Sequence, residues 1–133
     1  MSEKVLIVDD EKDFLDIIAE RLGAREMDVS ATTSAEDALK MVDERSYDVV
    51  IMDFMMPAMD GFRAIKLMKA KQPQMQIILL TGNVPDEKRQ EARALGALAV
   101  IEKPPDLTDL IQIIRKAKRT KRAGGAKKGR KKK

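Results

Sequence analysis

The sequence predicts an α/β fold: one five-stranded parallel sheet, doubly wound, with helices on both faces. Three observations carry that prediction. Short apolar runs such as Lys4–Val8 alternate five times with longer stretches of helical period. Lys4–Val8 is a continuous apolar run rather than an alternating one, the pattern of a strand buried on both faces. The 133 residues, 44% of them hydrophobic, suit a single domain with a real core.

Taken in order, Lys4–Val8 is the first strand. A helix follows with Phe14, Leu15, Ile17, Ile18 and Leu22 on one face, closed by Gly23 as its C-terminal cap. Met27–Ala31 forms an edge strand, and Ser34-Ala35-Glu36-Asp37 resembles a capping box opening a helix with Leu39 and Val42. Val49–Met52 is a strand, Gly61–Lys71 a helix and Ile77–Leu80 a strand. Asp86–Leu95 is a helix closed by Gly96, and Leu98–Ile101 is the last strand. Asp106 or Thr108 can cap a final helix bearing Leu107, Leu110, Ile111 and Ile114. This alternation implies right-handed crossovers. The flavodoxin-like order 2-1-3-4-5 suits five strands. It places ligands beyond their C-terminal ends, near the switch point between the first and third.

Composition narrows the chemistry. Aromatics are only 3%, so the core is aliphatic and draws on nine methionines. No cysteine means no disulfide, thiol redox chemistry or thiolate metal site. No histidine excludes an imidazole base, a histidine metal ligand and a phosphohistidine carrier within this chain. No run approaches the ~20 apolar residues of a membrane span, and the N-terminus lacks a basic leader, so a cytoplasmic protein is expected. The net charge of +4 conceals two regions. Arg115–Lys133 carries twelve basic and no acidic residues, whereas residues 1–114 hold fourteen basic and twenty-two acidic, a net −8.

Polar residues cluster where strands end. Asp9 and Asp10 follow the first strand, Asp53 the third, Thr81 the fourth and Lys103 the fifth. Singly, each has a structural reading: helix caps for the aspartates of the first strand, a turn ahead of Pro57 for Asp53, a strand-end hydroxyl and a surface lysine. Together they sit on one rim, where three carboxylates repel unless cations intervene. An ammonium group and a divalent metal supply that compensation. An all-oxygen site favours Mg²⁺, with Mn²⁺ as the alternative. A carboxylate can attack phosphorus to give an aspartyl phosphate, whose oxygens a lysine, a hydroxyl and the metal would stabilise.

These residues resemble the receiver domain of bacterial two-component response regulators. Val8-Asp9-Asp10, the segment Asp53 to Gly61, Thr81-Gly82 and Lys103-Pro104 match in order and spacing, over roughly residues 3–120. The resemblance implies that Asp53 accepts a phosphoryl group from a histidine kinase or phosphotransfer protein. It implies that Asp9, Asp10, Asp53 and the Met55 backbone carbonyl hold Mg²⁺, and that Thr81 and Lys103 bind the phosphoryl oxygens. Pro57 and Gly61 would shape the loop after Asp53, and Pro104 would follow a cis bond. Met55 and Asn83 stand where the family tunes dephosphorylation. Two positions depart from the pattern: Val100 replaces the usual aromatic switch, and Pro105 stands where phenylalanine is common.

The expected organisation is a phosphoacceptor domain over 1–120 and a basic disordered tail over 121–133 without a DNA-binding output domain. Its downstream protein target is unnamed by the residues. The tail fits a solvated appendage, or an anchor for nucleic acid, an anionic surface or an acidic protein. Two other readings compete with a regulatory switch. One is a nucleic-acid binder acting through the tail. The other is a Mg²⁺-dependent phosphatase with an aspartyl nucleophile, which would want an acid at position 55, where Met55 stands.

Overall fold

Alternating faces of five apolar strands organise the molecule. The structure, a computed structural model, describes residues 2–56, 59–82 and 84–131, with side chains to residue 120. Its elements are β1 (Lys4–Val8), α1 (Lys12–Gly23), β2 (Asp28–Thr32), α2 (Ala35–Glu44), β3 (Val49–Asp53), α3 (Gly61–Lys71), β4 (Gln76–Thr81), α4 (Asp86–Ala94), β5 (Ala97–Glu102) and α5 (Leu107–Lys131). All strand pairs are parallel, in the order β2-β1-β3-β4-β5. The predicted fold class and strand order are those observed.

Because strand side chains alternate, each central strand feeds two cores. Val5, Ile7, Val49, Ile51, Ile78 and Leu80 face α1 and α5. Leu6, Val8, Val50, Met52, Ile77 and Leu79 face the side of α2, α3 and α4. The β4–β5 register skips from Ile77↔Ala97 to Ile78↔Ala99, so Leu98 is an extra residue. That bulge returns Val100 to the same face as its partner Leu79.

Helix ends show where local chemistry was readable. Ser34 caps α2, its Oγ accepting from the Asp37 N–H at 3.1 Å. The box is not reciprocal: the Ser34 N–H donates to Thr32 Oγ1 instead. Asp106, not Thr108, caps α5 by accepting from the Asp109 N–H at 3.0 Å. Gly96 takes φ +119° after α4, as its position implies, with Lys69 packed where a side chain would stand.

Two expectations need correcting. Gly23 does not supply a left-handed cap; it remains inside α1. The helix closes three residues later, with Met27 N–H bonding to Leu22 O and Glu26 N–H to Gly23 O. Glu26, at φ 65°, takes the left-handed position of this Schellman closure because burying Met27 just beyond it fixes the register. Ile17 is 50% exposed, since the core stripe of α1 runs through Leu15, Ile18 and Leu22. The helical backbone of α5 runs to Lys131.

Gly61 begins α3 beneath Phe54. A Cβ there would lie 2.4 Å from the Phe54 ring and 2.9 Å from its carbonyl oxygen, and the backbone atom cannot move aside cheaply. Gly61→Ala is expected to destabilise the chain by about 1–3 kcal/mol, read as a lower urea midpoint at unchanged slope.

Candidate functional site

Strand parity aims the site. Asp9 continues the side of Val5 and Ile7, and Asp53 that of Val49 and Ile51, so both follow the α1/α5 face at the C-terminal rim. Lys103 follows β5 on the same parity as Ile101, which packs against that core. Its N–H is held by Thr81 O at 2.8 Å, which locks the end of β5 to β4. The Lys103–Pro104 peptide is cis.

The structure brings Asp9, Asp10, Asp53 and Lys103 together. One carboxylate oxygen from each aspartate lies within 4.8 Å of the others. Lys103 Nζ is 2.7 Å from Asp9 Oδ2, 3.3 Å from Asp53 Oδ2 and 2.8 Å from Glu11 Oε1. It also stands 4.5 Å from the Phe14 ring centroid, a cation–π contact. Asp9 and Asp53 are buried, whereas Asp10 is exposed. Asp9 Oδ1 accepts from the Glu11 N–H at 2.8 Å, and Asp53 Oδ1 from the Met55 N–H at 2.9 Å. Neither Asp9 nor Asp10 caps α1; Glu11 holds the N-cap position and makes no side-chain cap bond.

The electrostatics favour added positive charge. Burial raises the pKa of Asp9, with the charge of Asp53 adding to it, against the hydrogen bonds and charge of Lys103 and Glu11 N–H. Burial by itself would lower that of Lys103, but bonds to Asp9 and Glu11 and the charges of Asp53 and Asp9 raise it instead. Asp9 Oδ2 lies 2.7 Å from the Lys103 ammonium and has no other polar partner among the described residues. A buried carboxylate oxygen with a free lone pair, beside two more carboxylates, fits a divalent cation.

Thr81 is fully buried, and its Oγ1 has no hydrogen-bond partner among the described residues. Such a hydroxyl is costly unless something else completes it. Val100 is buried, packed with the core on the α4 side. The Met55 side chain is 64% exposed and turns away from the interior. Pro57 and Asn83 lie outside the described residues.

Three contributors were not assigned to the site from sequence. Glu11 and Phe14 hold the Lys103 ammonium, and only their place on the first turn of α1 across from β5 reveals it. Arg89 was missed as well. It donates to Val84 O and Val100 O at 3.3 and 3.4 Å and lies 3.8 Å from Glu102, tying the loop after β4 to β5.

The raised pKa of Asp9 has a sign. The folded chain binds that proton more tightly than the unfolded chain does, so the charged carboxylate costs stability at neutral pH. The cost fades as pH falls through the folded pKa towards 3.8. Asp9→Asn should therefore stabilise the metal-free protein at pH 7. Urea midpoints measured with a chelator should show that advantage shrinking towards pH 4.

Comparison with known proteins agrees with this geometry. Residues 5–115 match the response regulator receiver domain family. The chain is 36% identical to the response regulator SaeR of Staphylococcus epidermidis, over 80% of this chain and 46% of SaeR. It is 29% identical to sporulation initiation phosphotransferase F of Bacillus subtilis, over 87% of this chain and 94% of that protein. A response regulator receiver domain from Clostridium thermocellum superimposes with a TM-score of 0.86 at 31% identity, covering 91% of this chain and 98% of that one. Several curated relatives are much longer, and the chain spans between 25% and 46% of their length. This chain belongs to the response regulator receiver domain family.

Proposed function

We propose that Asp53 is the phosphoacceptor of a two-component signalling switch or shuttle, loaded by a histidine kinase or phosphotransfer protein. The observation that carries this reading is the Lys103 ammonium 3.3 Å from Asp53 Oδ2, on a rim shared with Asp9 and Asp10. A carboxylate oxygen of Asp53 forms the new P–O bond as the donor's P–N bond breaks, its electron pair staying on the donor imidazole. Asp9, Asp10, Asp53 and the Met55 carbonyl would hold Mg²⁺, which when bound supplies positive charge to the phosphoryl oxygens. Lys103 neutralises a further oxygen and has to leave Glu11 or share itself to do so.

Thr81 completes the group. Its buried, unsatisfied hydroxyl gains a partner when a phosphoryl oxygen comes within reach, so modification pulls the end of β4 towards Asp53. With Val100 in the aromatic position, the signal passes to α4 without a swinging ring. Pro57, Gly61 and Pro104 shape the surrounding loops, and Met55 and Asn83 set how water reaches the phosphoryl group. The relative of similar length is by name a phosphotransferase, which supports a shuttle as much as a terminal switch. Among the described residues no helix is long and apolar enough to cross a membrane.

Incubation with Mg²⁺ and a small acyl phosphate should add the mass of one phosphoryl group, and Asp53→Asn should add none. An adduct retained by Asp53→Asn, or none from any donor including histidine kinases, would overturn the assignment. Mg²⁺ at a hundredfold its Kd should stabilise the chain by about 2.7 kcal/mol, and Asp53→Asn should lose most of that.

A further inference from the structure

The last helix offers a surface that the phosphoryl site does not use. Its apolar stripe is spent on the domain: Leu110, Ile111, Ile114 and Ala117 are buried against the sheet. Its outer side carries Arg115, Lys116 and Arg119, all exposed, beside Gln112 and half-buried Ile113 around an open groove of about 390 Å³. Among the described residues none of these three cations has an acidic partner, whereas Lys12, Arg45 and Lys71 elsewhere each do. The helix then runs on to Lys131.

We propose that exposed Arg115, Lys116 and Arg119, with the basic stretch of α5 that follows to Lys131, dock on the phosphate backbone of duplex nucleic acid. Ten lysines and arginines and no acidic residue fall in 115–131. At about 1.5 Å rise per residue that stretch spans about 25 Å, or one cation per ~2.5 Å. Duplex DNA carries one phosphate per ~1.7 Å of axis, so the two charge densities are of the same order. An anionic bilayer fits less well, because an interfacial helix needs large apolar residues. Beyond Ala117 the only apolar residues are Ala123 and Ala126. A single strand fits less well too, since residues 115–133 contain no aromatic side chain on which bases could stack. Contacts to phosphate oxygens carry no base information, so the docking is independent of base sequence. Its seat next to a domain of net −8 keeps the duplex at α5 and off the acidic rim.

The test is fluorescence anisotropy of a labelled, mixed-sequence duplex of about 25 base pairs with the full chain, from 50 to 200 mM salt. Neutralising ~6 phosphates gives a slope of log K against log salt near −5. The combined variant Arg115→Glu, Lys116→Glu, Arg119→Glu should weaken binding at least tenfold with an unchanged circular dichroism spectrum. Should that variant unfold, the Gln versions of the same three positions should still weaken binding several-fold. Absence of binding at 50 mM salt, or a triple variant that binds like the parent, overturns the proposal. Tighter association with phosphatidylserine vesicles would assign the helix to a bilayer instead. Displacement of the duplex by an equal charge of polyglutamate would assign it to an acidic protein.

Discussion

The Lys103 ammonium is the charge around which the rim of this domain closes. It reaches from β5 across β4 and β3 to carboxylates on β1 and β3, and to Glu11 at the start of α1. Asp9 and Asp53 are buried, and without that ammonium their charges would face each other across a poorly solvated gap. Burial, with a smaller contribution from the Asp53 charge, is why Asp9 favours its proton, while bonds to Asp9 and Glu11 and the nearby carboxylate charges keep the proton on Lys103. A site in that condition is receptive to cations and can exchange one for another. Phosphoryl chemistry at a carboxylate exploits such a site, since the incoming group brings negative oxygens that need the same positive charge.

The scaffold makes this placement rigid. Parallel pairing of five strands aligns their C-terminal ends, and two-sided burial removes freedom of register, because a slip of one residue would exchange the two cores. The backbone bond from Lys103 N to Thr81 O joins the lysine to the strand that carries the unsatisfied hydroxyl. Arg89 then links the loop after Thr81 to the carbonyl of Val100 and to Glu102. A displacement at the end of β4 is thus felt on α4 through polar contacts, in a molecule whose position 100 has no ring to move.

Charge divides the molecule into an acidic body, which holds the carboxylate rim, and a basic last helix. α5 buries one stripe in the core and presents the other outward.

Much of this was readable from residues alone. Continuous apolar runs determined the central strands, because a strand covered on both faces excludes polar side chains, and Asp9, Asp53, Thr81 and Lys103 stood out at or just beyond the ends of four strands. Ser34 and Gly96 were legible for the same reason: caps depend on one or two neighbouring residues. What depends on distant neighbours was not legible. Gly23 lost the left-handed position to Glu26 because burial of Met27 fixed the closure, and Ile17 fell outside the core stripe of its helix. The bulge at Leu98, which sets the face taken by Val100, appears only once β5 is paired with β4. Glu11 and Phe14 became part of the site because the Lys103 side chain reaches across the rim from β5 to the start of α1, ninety-two residues along the chain from Glu11 to Lys103. Sequence determined which groups the rim would hold, since polarity at a strand end is local. Tertiary structure alone decided which of them share one ammonium, since that is a matter of packing between segments that meet only on folding.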